Sequence, residues 1–147
     1  MIKRLLFTAW LFSSTGLLLG QAPFICDGDF FLSLTPSGQG SVSTFYQLSI
    51  DPLGTVNFSQ LLSSPGLDAI NAVGHRSTDN FVYGVNPNTH ALYRIDSLGT
   101  LTFLAFITGI DPNSSWLAGD CSPDGQYLVI SGNDGTSLIQ IDLTSPT

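Results

Sequence analysis

The chain has 147 residues, enough for one domain with a buried core, and its 11 acidic and 4 basic residues give a formal net charge of −7. This acidic balance repels phosphate backbones and anionic lipid headgroups, so it argues against nucleic-acid binding. Every acidic residue is Asp, which collects in turns rather than in helices, and with 15 Gly and 8 Pro the composition favours an all-β protein.

The N-terminus has the layout of a secretory signal peptide over residues 1–22. Two basic residues precede the apolar run Leu5 to Leu19, and the small residues Gly20 and Ala22 follow it. The run is short and interrupted by polar residues, which favours cleavage, with a retained N-terminal membrane anchor as the alternative. We therefore expect cleavage near Gly20 or Ala22 and a mature chain that is secreted or displayed at the cell surface, with no membrane segment left.

A short sequence motif that ends in Ile-Asp recurs along the rest of the chain at intervals of 45 and 46 residues. A fixed period of this length is the signature of a repeat architecture. It predicts one domain over residues 23–147, with units at approximately 23–60, 61–107 and 108–147. The three pairs are Ile50-Asp51, Ile95-Asp96 and Ile141-Asp142.

Aromatic residues after polar turns give a second landmark. Phe81 and Tyr127 each lie 15 residues before the aspartate of their Ile-Asp pair, whereas Phe30 lies 21 residues before its aspartate. We expect Phe30 to occupy the equivalent place in the first unit, with a longer hairpin at Thr35 to Ser43 taking up the difference.

The second unit contains four short strand-like runs, each rich in β-branched and aromatic residues and bounded by turn-forming residues. The runs are Ala69 to Gly74, Phe81 to Val85, Ala91 to Ile95 and Thr100 to Ile107. Four antiparallel strands in a unit of this length are typical of a β-propeller blade. We therefore predict an all-β partial propeller of about three four-stranded blades, with the last blade incomplete.

The aspartate of each Ile-Asp pair is predicted to close a hairpin turn. Its carboxylate can accept hydrogen bonds from backbone N–H groups in the turn, and the following glycine supplies the positive φ that the bend demands. A role for Asp51, Asp96 and Asp142 as ligands or acids is the competing interpretation. Turn chemistry explains better why the same residue recurs where the same bend recurs.

Several segments resemble known propeller repeats. The third unit, SPDGQYLVISGNDGTSLIQIDL (Ser122 to Leu143), is similar to the SPDG-type blades of WD40-like and YVTN-like propellers. FICDGDFFLS, INAVGHRSTDNFVYGV, LYRID and LAGDCSPDGQYLV together resemble a propeller-like repeat domain of unknown function found in secreted and surface proteins, mainly bacterial. The resemblance covers about Phe24 to Leu143. It implies a surface location with adhesive or scaffolding roles, and it supplies no catalytic residues.

Three units are too few to close a propeller ring, which typically takes four to eight blades. The third unit also ends at Thr147, where its fourth strand is expected to begin. Three explanations stay open: the chain is a fragment of a longer protein, copies associate to complete a ring, or a partner chain supplies the missing blades. We favour the fragment.

Cysteine and aspartate residues suggest two kinds of stabilising site. Cys26 and Cys121 are candidates for one disulfide in an exported protein, or for two buried small side chains. Asp27, Asp29 and Asp134 offer the hard oxygen ligands that calcium prefers, but no known calcium-loop motif contains them. We therefore expect no cofactor, with calcium at these aspartates as the alternative.

Four residues are the candidates for ligand binding: His75, Asp120, Asp124 and Trp116. If Trp116 is exposed in its loop, it would stack on a sugar ring or anchor a partner; if it is buried, it would fill the space between blades. We expect the loops His75 to Asn80 and Asp111 to Trp116 to converge at one mouth of the ring and form the binding face.

The predicted function is a non-catalytic, exported module that binds a protein or glycan or forms part of a cell-surface scaffold. The alternative is a glycan-acting lyase or hydrolase with its active site in the central channel. Ser122, His75 and Asp120 can be combined into a hydrolase triad on paper, but no nucleophile motif surrounds the serine. The enzyme alternative requires His75, Asp79, Asp120 and Asp124 to cluster.

Overall fold

The computed structural model describes residues 21–25, 30–34, 43–63, 70–111 and 113–145. Across these ranges the chain forms ten β-strands and no helix. It follows that the described residues contain no helix with the length and apolar character needed to cross a membrane. The strands are β1 (Phe30–Leu34), β2 (Thr44–Ile50), β3 (Val56–Ser63), β4 (Asn71–Arg76), β5 (Phe81–Val85), β6 (Ala91–Ile95), β7 (Leu101–Phe106), β8 (Trp116–Cys121), β9 (Tyr127–Gly132) and β10 (Leu138–Asp142).

The strands make three antiparallel sheets, none of which closes into a barrel. The first sheet has the order β1-β2-β3, the middle sheet β4-β5-β6-β7 and the third sheet β8-β9-β10. This confirms the predicted all-β class and the succession of small sheets in a partial propeller-like arrangement. The middle sheet has the four expected strands. The first sheet has three within the described ranges, and they correspond to β5, β6 and β7.

The strands of the middle sheet lie close to their predicted limits. β5 and β6 cover the predicted residues, because turn-forming residues bound each of them on both sides. β7 is one residue shorter than predicted at each end, and β4 is shifted toward the C-terminus, to Asn71–Arg76. Most of the hairpin predicted in the first unit, residues 35–42, lies outside the described residues.

The middle sheet is covered on both faces. Val82 and Ile95 point to one side, where they join a buried cluster with Phe45 of the first sheet. Tyr83 and Leu92 point to the other side and pack against the third sheet. Successive side chains of a strand alternate between faces, so a sheet that is apolar on both faces is suited to a position between two others.

The repeated Ile-Asp turns have the predicted chemistry. The Asp51 Oδ1 atom accepts hydrogen bonds from the Leu53 and Thr55 backbone N–H groups at 2.9 and 2.8 Å. The Asp96 Oδ1 atom accepts the same pair from Leu98 and Thr100, at 3.0 and 2.7 Å. Both turns also contain a glycine with positive φ, 84° at residue 54 and 76° at residue 99. These bonds confirm the structural interpretation of Asp51 and Asp96, whereas Asp142 accepts from the Thr144 N–H and hydroxyl, both at 2.7 Å, in a segment with no following glycine.

The first unit differs from the prediction in its register. Phe30 pairs with Leu48, whereas the corresponding residue of β6, Tyr93, pairs with Gly84. Phe30 therefore occupies the place of Gly84, three residues along from Phe81, so the expected equivalence of the two phenylalanines is wrong. A strand keeps whichever register buries its apolar face, and here that register places Phe31 against the middle sheet.

Residues 21–25 lie across one end of the middle sheet. The Phe24 N–H donates to the Asn80 carbonyl oxygen at 2.7 Å, and the Ser97 N–H donates to the Ala22 carbonyl oxygen at 2.9 Å. The Phe24 side chain is buried in the cluster between the first and middle sheets. The remainder of the predicted signal peptide, residues 1–20, lies outside the described residues.

Candidate functional site

The edge strand β4 of the middle sheet contacts the edge strands β1 of the first sheet and β8 of the third sheet, along what we call the inner edge. The backbones of β4 and β8 approach very closely. A Cβ atom at Gly74 would lie 2.6 Å from the Cys121 nitrogen, and one at Gly119 would lie 2.5 Å from the Ala72 oxygen. No L side chain fits at such separations, so glycine at both positions permits the two strands to run side by side.

A cleft of about 250 Å³ opens at the inner edge. We call it the inner cleft, and its lining includes Phe30, Phe31, Val73, His75, Gly119 and Asp120. Two of the four predicted binding residues, one from β4 and one from β8, therefore lie in the same cleft, although 45 residues separate them in the sequence.

His75 contributes an aromatic and polar surface to the inner cleft. Its ring stacks on that of Phe31, with the ring centroids 5.5 Å apart and the planes inclined by 18°. Burial lowers the pKa of the imidazole, and the nearby carboxylates of Asp79 and Asp120 oppose that shift in part. The neutral imidazole is therefore favoured in the folded protein near neutral pH.

Asp120 contributes an accessible carboxylate. The residue is exposed, and its Oδ1 atom accepts a hydrogen bond from the Cys121 backbone N–H at 2.8 Å. The inner cleft thus combines the aromatic ring of Phe31 with an imidazole and a hydrogen-bond acceptor. Such a surface suits a ligand with an apolar face and hydroxyl or amine donors, such as a sugar ring or a peptide side chain.

Arg76 and Asp79 form a linked group that the sequence did not single out as a unit. The Asp79 Oδ2 atom accepts from Arg76 Nη1 at 2.8 Å and from the Tyr83 hydroxyl at 2.7 Å. Arg76 Nε donates to the Gly125 carbonyl oxygen at 2.6 Å, which ties the turn after β4 to the turn after β8. The signal that would have identified this group is the isolated arginine three residues before an aspartate in a chain with few cations.

Asp124 belongs to the turn between β8 and β9. Its Oδ1 atom accepts from the Ser122 hydroxyl at 2.6 Å and from the Gln126 N–H at 3.0 Å. These bonds lower the pKa of the Asp124 carboxyl. The Ser122 hydroxyl oxygen also accepts from the Tyr127 N–H at 2.9 Å, so this pair of side chains organises the SPDG turn.

The predicted calcium ligands divide into two groups. Asp27 and Asp29 lie outside the described residues. Asp134 closes the turn between β9 and β10, where its Oδ1 atom accepts from Thr136 N–H at 2.9 Å and Ser137 N–H at 2.8 Å. Hydrogen bonds from Ser137 and Thr136 hold the pKa of this carboxyl well below its usual range. Within the described ranges no three His, Cys or Asp side chains converge to hold a metal ion.

Trp116 and Cys121 lie at the two ends of β8. Trp116 is the first residue of the strand rather than a loop residue, and it is 1% exposed in the core between the middle and third sheets. Trp116 therefore fills the space between two sheets and is not available to stack on a ligand. Cys121 is half-buried and has no disulfide partner among the described residues. Because Cys26 lies outside the described residues, the disulfide stays a prediction.

The two loops that we expected to converge lie at opposite ends of the sheets. The turn after β4 contacts the turn after β8 through Arg76 and Gly125. The segment before β8 lies at the other end, where the Asn133 N–H donates to the Ser115 carbonyl oxygen at 2.9 Å. β4 and β8 run in the same direction, so a loop that follows one strand cannot meet a loop that precedes the other.

A family model described as a repeat of unknown function, DUF6923, matches residues 31–147. No curated protein matches the chain.

Proposed function

We propose that this chain, which belongs to the DUF6923 family of repeats of unknown function, is an exported, non-catalytic module of the β-propeller type. In this proposal it binds a protein or glycan, or serves as part of a cell-surface scaffold. The inner cleft is the proposed binding surface, and the sheets on either side of it are the rigid support.

The composition of the inner cleft is the observation that carries this proposal. It places the aromatic ring of Phe31 beside His75, whose neutral form is favoured by burial, and beside an exposed Asp120. Binding sites are typically concave and apolar, with a few polar groups that fix the orientation of the ligand.

The four groups required by the enzyme alternative have different roles. His75 and Asp120 line the inner cleft, but Asp79 is bonded to Arg76 and Tyr83, and Asp124 is bonded within its own turn. Asp79 and Asp120 both act on the pKa of His75, so these three groups are neighbours, but the carboxylates of Asp79 and Asp124 are engaged in structural hydrogen bonds, which favours the binding proposal.

A glycan array of neutral and amino-sugar oligosaccharides, followed by calorimetric titration of the strongest binder, tests the cleft. We expect Asp120→Asn to weaken that binding about tenfold or more, the usual effect of losing a charged hydrogen-bond acceptor. Asp111→Asn is the matched control, because Asp111 is also an exposed turn-bonded aspartate but lies at the other end of the sheets. Equal affinities of the two variants would refute the cleft as the binding site. Release of new reducing ends that Asp120→Asn abolishes would instead establish the enzyme alternative.

Export has a separate test. We propose that the signal peptide is removed near residue 20 or 22, as the sequence pattern suggests. The contacts of Ala22 with Asp96 and Ser97 favour cleavage after Gly20, which retains them. N-terminal sequencing of the protein recovered from the culture medium should begin at Gln21, and recovery of an intact Met1 in the membrane fraction would show a retained anchor.

A further inference from the structure

Two sheet faces have no covering sheet within the described part of the chain. The first sheet turns an apolar face away from the middle sheet, and we call it the leading face. Its residues include Phe30, Leu34, Leu48, Ile50, Val56 and Phe58. The third sheet likewise turns one face away from the middle sheet, and we call it the trailing face, represented by Val129, Ser131, Leu138 and Gln140.

The leading face is equivalent to faces that are buried elsewhere in the same chain. Ile50, Ile95 and Ile141 occupy the same position in successive sheets, each at the end of its strand beside the repeated turn. Ile95 is 1% exposed and Ile141 is 9% exposed, because a preceding sheet covers each of them. Ile50 is 58% exposed. The exposed fraction of this isoleucine therefore depends on whether a neighbouring sheet covers it, because the residue and its position in the sheet are the same in all three cases.

The trailing face gives the complementary observation. Leu92 and Leu138 are equivalent in register, since they pair with Val85 and Ser131 of the corresponding neighbouring strands. Leu92 is fully buried by the third sheet, whereas Leu138 is 72% exposed. Inside the chain, Leu92 of one sheet and Ile141 of the next belong to the same buried cluster.

We propose that the leading face of one copy of this protein packs on the trailing face of a second copy, head to tail. This contact places Ile50 of one copy with Leu138 of the other, as Ile141 lies with Leu92 within the chain. This contact would repeat the sheet-on-sheet packing that the chain already makes twice. The first sheet packs on the middle sheet in this way, and the middle sheet packs on the third. The two faces differ, so the contact is heterologous and each added copy leaves one face of each kind free until the ring closes. The inference concerns assembly and does not depend on ligand binding in the inner cleft.

Sedimentation velocity of the purified protein over a concentration series tests the proposal. We expect the wild-type protein to associate as its concentration rises, and Ile50→Asp or Leu138→Asp to abolish association by placing a charge in the contact. Leu53→Asp is the control, because Leu53 is exposed in the turn beside the leading face and lies outside it.

Mixing the two disrupted variants gives the sharpest readout. Ile50→Asp retains an intact trailing face and Leu138→Asp retains an intact leading face, so an equimolar mixture should form a heterodimer and stop there. Recovery of that dimer also shows that both variants are folded. A wild-type protein that stays monomeric throughout the series would overturn the proposal. Association that is lost in Ile50→Asp but kept in Leu138→Asp would overturn it as well, because the leading face would then pair with itself.

Discussion

Gly119 of β8 lies directly against Ala72 of β4, at a distance that leaves 2.5 Å between a Cβ built on the glycine and the alanine carbonyl oxygen. This close approach holds the middle and third sheets together at the inner edge. The obstruction is backbone rather than a flexible side chain, so it cannot move aside without displacing a strand.

Gly119→Ala is expected to destabilise the protein by about 2 to 3 kcal/mol, as overpacking of a well-packed interface does. Urea unfolding measures the change. The neighbouring substitution Ala118→Val adds more volume at an exposed position of the same strand and should change stability by less than about 0.5 kcal/mol. Equal stability of Gly119→Ala and the wild-type protein would mean that the two strands lie farther apart than described.

The equivalent aspartates Asp51 and Asp96 should differ in their importance for stability. Both accept two backbone hydrogen bonds, but Asp96 is buried and also accepts from the Ala22 N–H at 3.3 Å. Asp96→Ala leaves three partly buried backbone N–H donors without their acceptor, at a cost of about 1 to 3 kcal/mol. The Asp51 turn is already exposed, so in Asp51→Ala water can accept the hydrogen bonds that the carboxylate accepted. The loss of stability should therefore be smaller than for Asp96→Ala. Thermal unfolding of the two variants compares them, and equal losses would contradict this explanation.

His75 should make stability depend on pH below neutrality. Its pKa is lowered in the folded state by burial, against the opposing effect of Asp79 and Asp120. The unfolded chain therefore takes up a proton first, so the contribution of His75 is complete above pH 6.5 and declines as the pH falls below that value. Urea unfolding between neutral and mildly acidic pH should show this decline.

His75→Gln should flatten that part of the pH profile. His90→Asn is the control, because Asn tolerates the positive φ of 56° at residue 90 and removes the other histidine. If the slope persists in His75→Gln and disappears in His90→Asn, the dependence belongs to His90 and the prediction is wrong.

The thiol of Cys121 should be chemically inert in the folded protein. Burial, with a further contribution from Asp120, raises its pKa to about 12 from an ordinary value of 9.0. Because the thiolate is the reactive form, alkylation by iodoacetamide at pH 8 should be about a thousandfold slower than that of an unfolded cysteine. Mass spectrometry of Cys26→Ser in the presence and absence of urea measures the ratio. Rapid labelling of the folded protein would show that the strand end opens easily.

Trp116 should tolerate a change to phenylalanine much better than a change to alanine. Its ring fills the core between two sheets, so Trp116→Ala is expected to cost about 3 to 5 kcal/mol. Its buried Nε1 atom has no hydrogen-bond partner among the described residues, so phenylalanine removes a polar group without removing a bond. A loss for Trp116→Phe that approaches that of Trp116→Ala would indicate a partner for the indole N–H. Denaturant midpoints of the two variants give the comparison.

The sequence predicted features that depend on neighbouring residues. The limits of β5 and β6 and the hydrogen bonds of the Ile-Asp turns follow from strand propensity and turn chemistry acting over a few residues. The position of Trp116 in a strand was missed because the serines before it suggested a longer loop. The register of Phe30 was missed because packing against the middle sheet determines it.

The candidate site was less predictable, because it depends on how strands from different units are oriented. His75 and Asp120 were selected singly, and the parallel course of β4 and β8 brings them to one cleft. The same geometry separates the loops that were expected to meet. The bond from Arg76 to Gly125 joins residues 49 apart in the sequence, and no local pattern encodes such a contact.

The burial of the middle sheet on both faces also determines the order in which parts of the molecule unfold locally. The backbone N–H groups of β5 and β6 are bonded within a sheet that is packed on both faces, so we expect them to exchange with solvent more slowly than those of β2 and β9, whose sheets each pack against one other sheet among the described residues. Local openings should therefore begin in the outer sheets and reach the centre last, so that partial unfolding frees an intact surface on the middle sheet before the core dissolves.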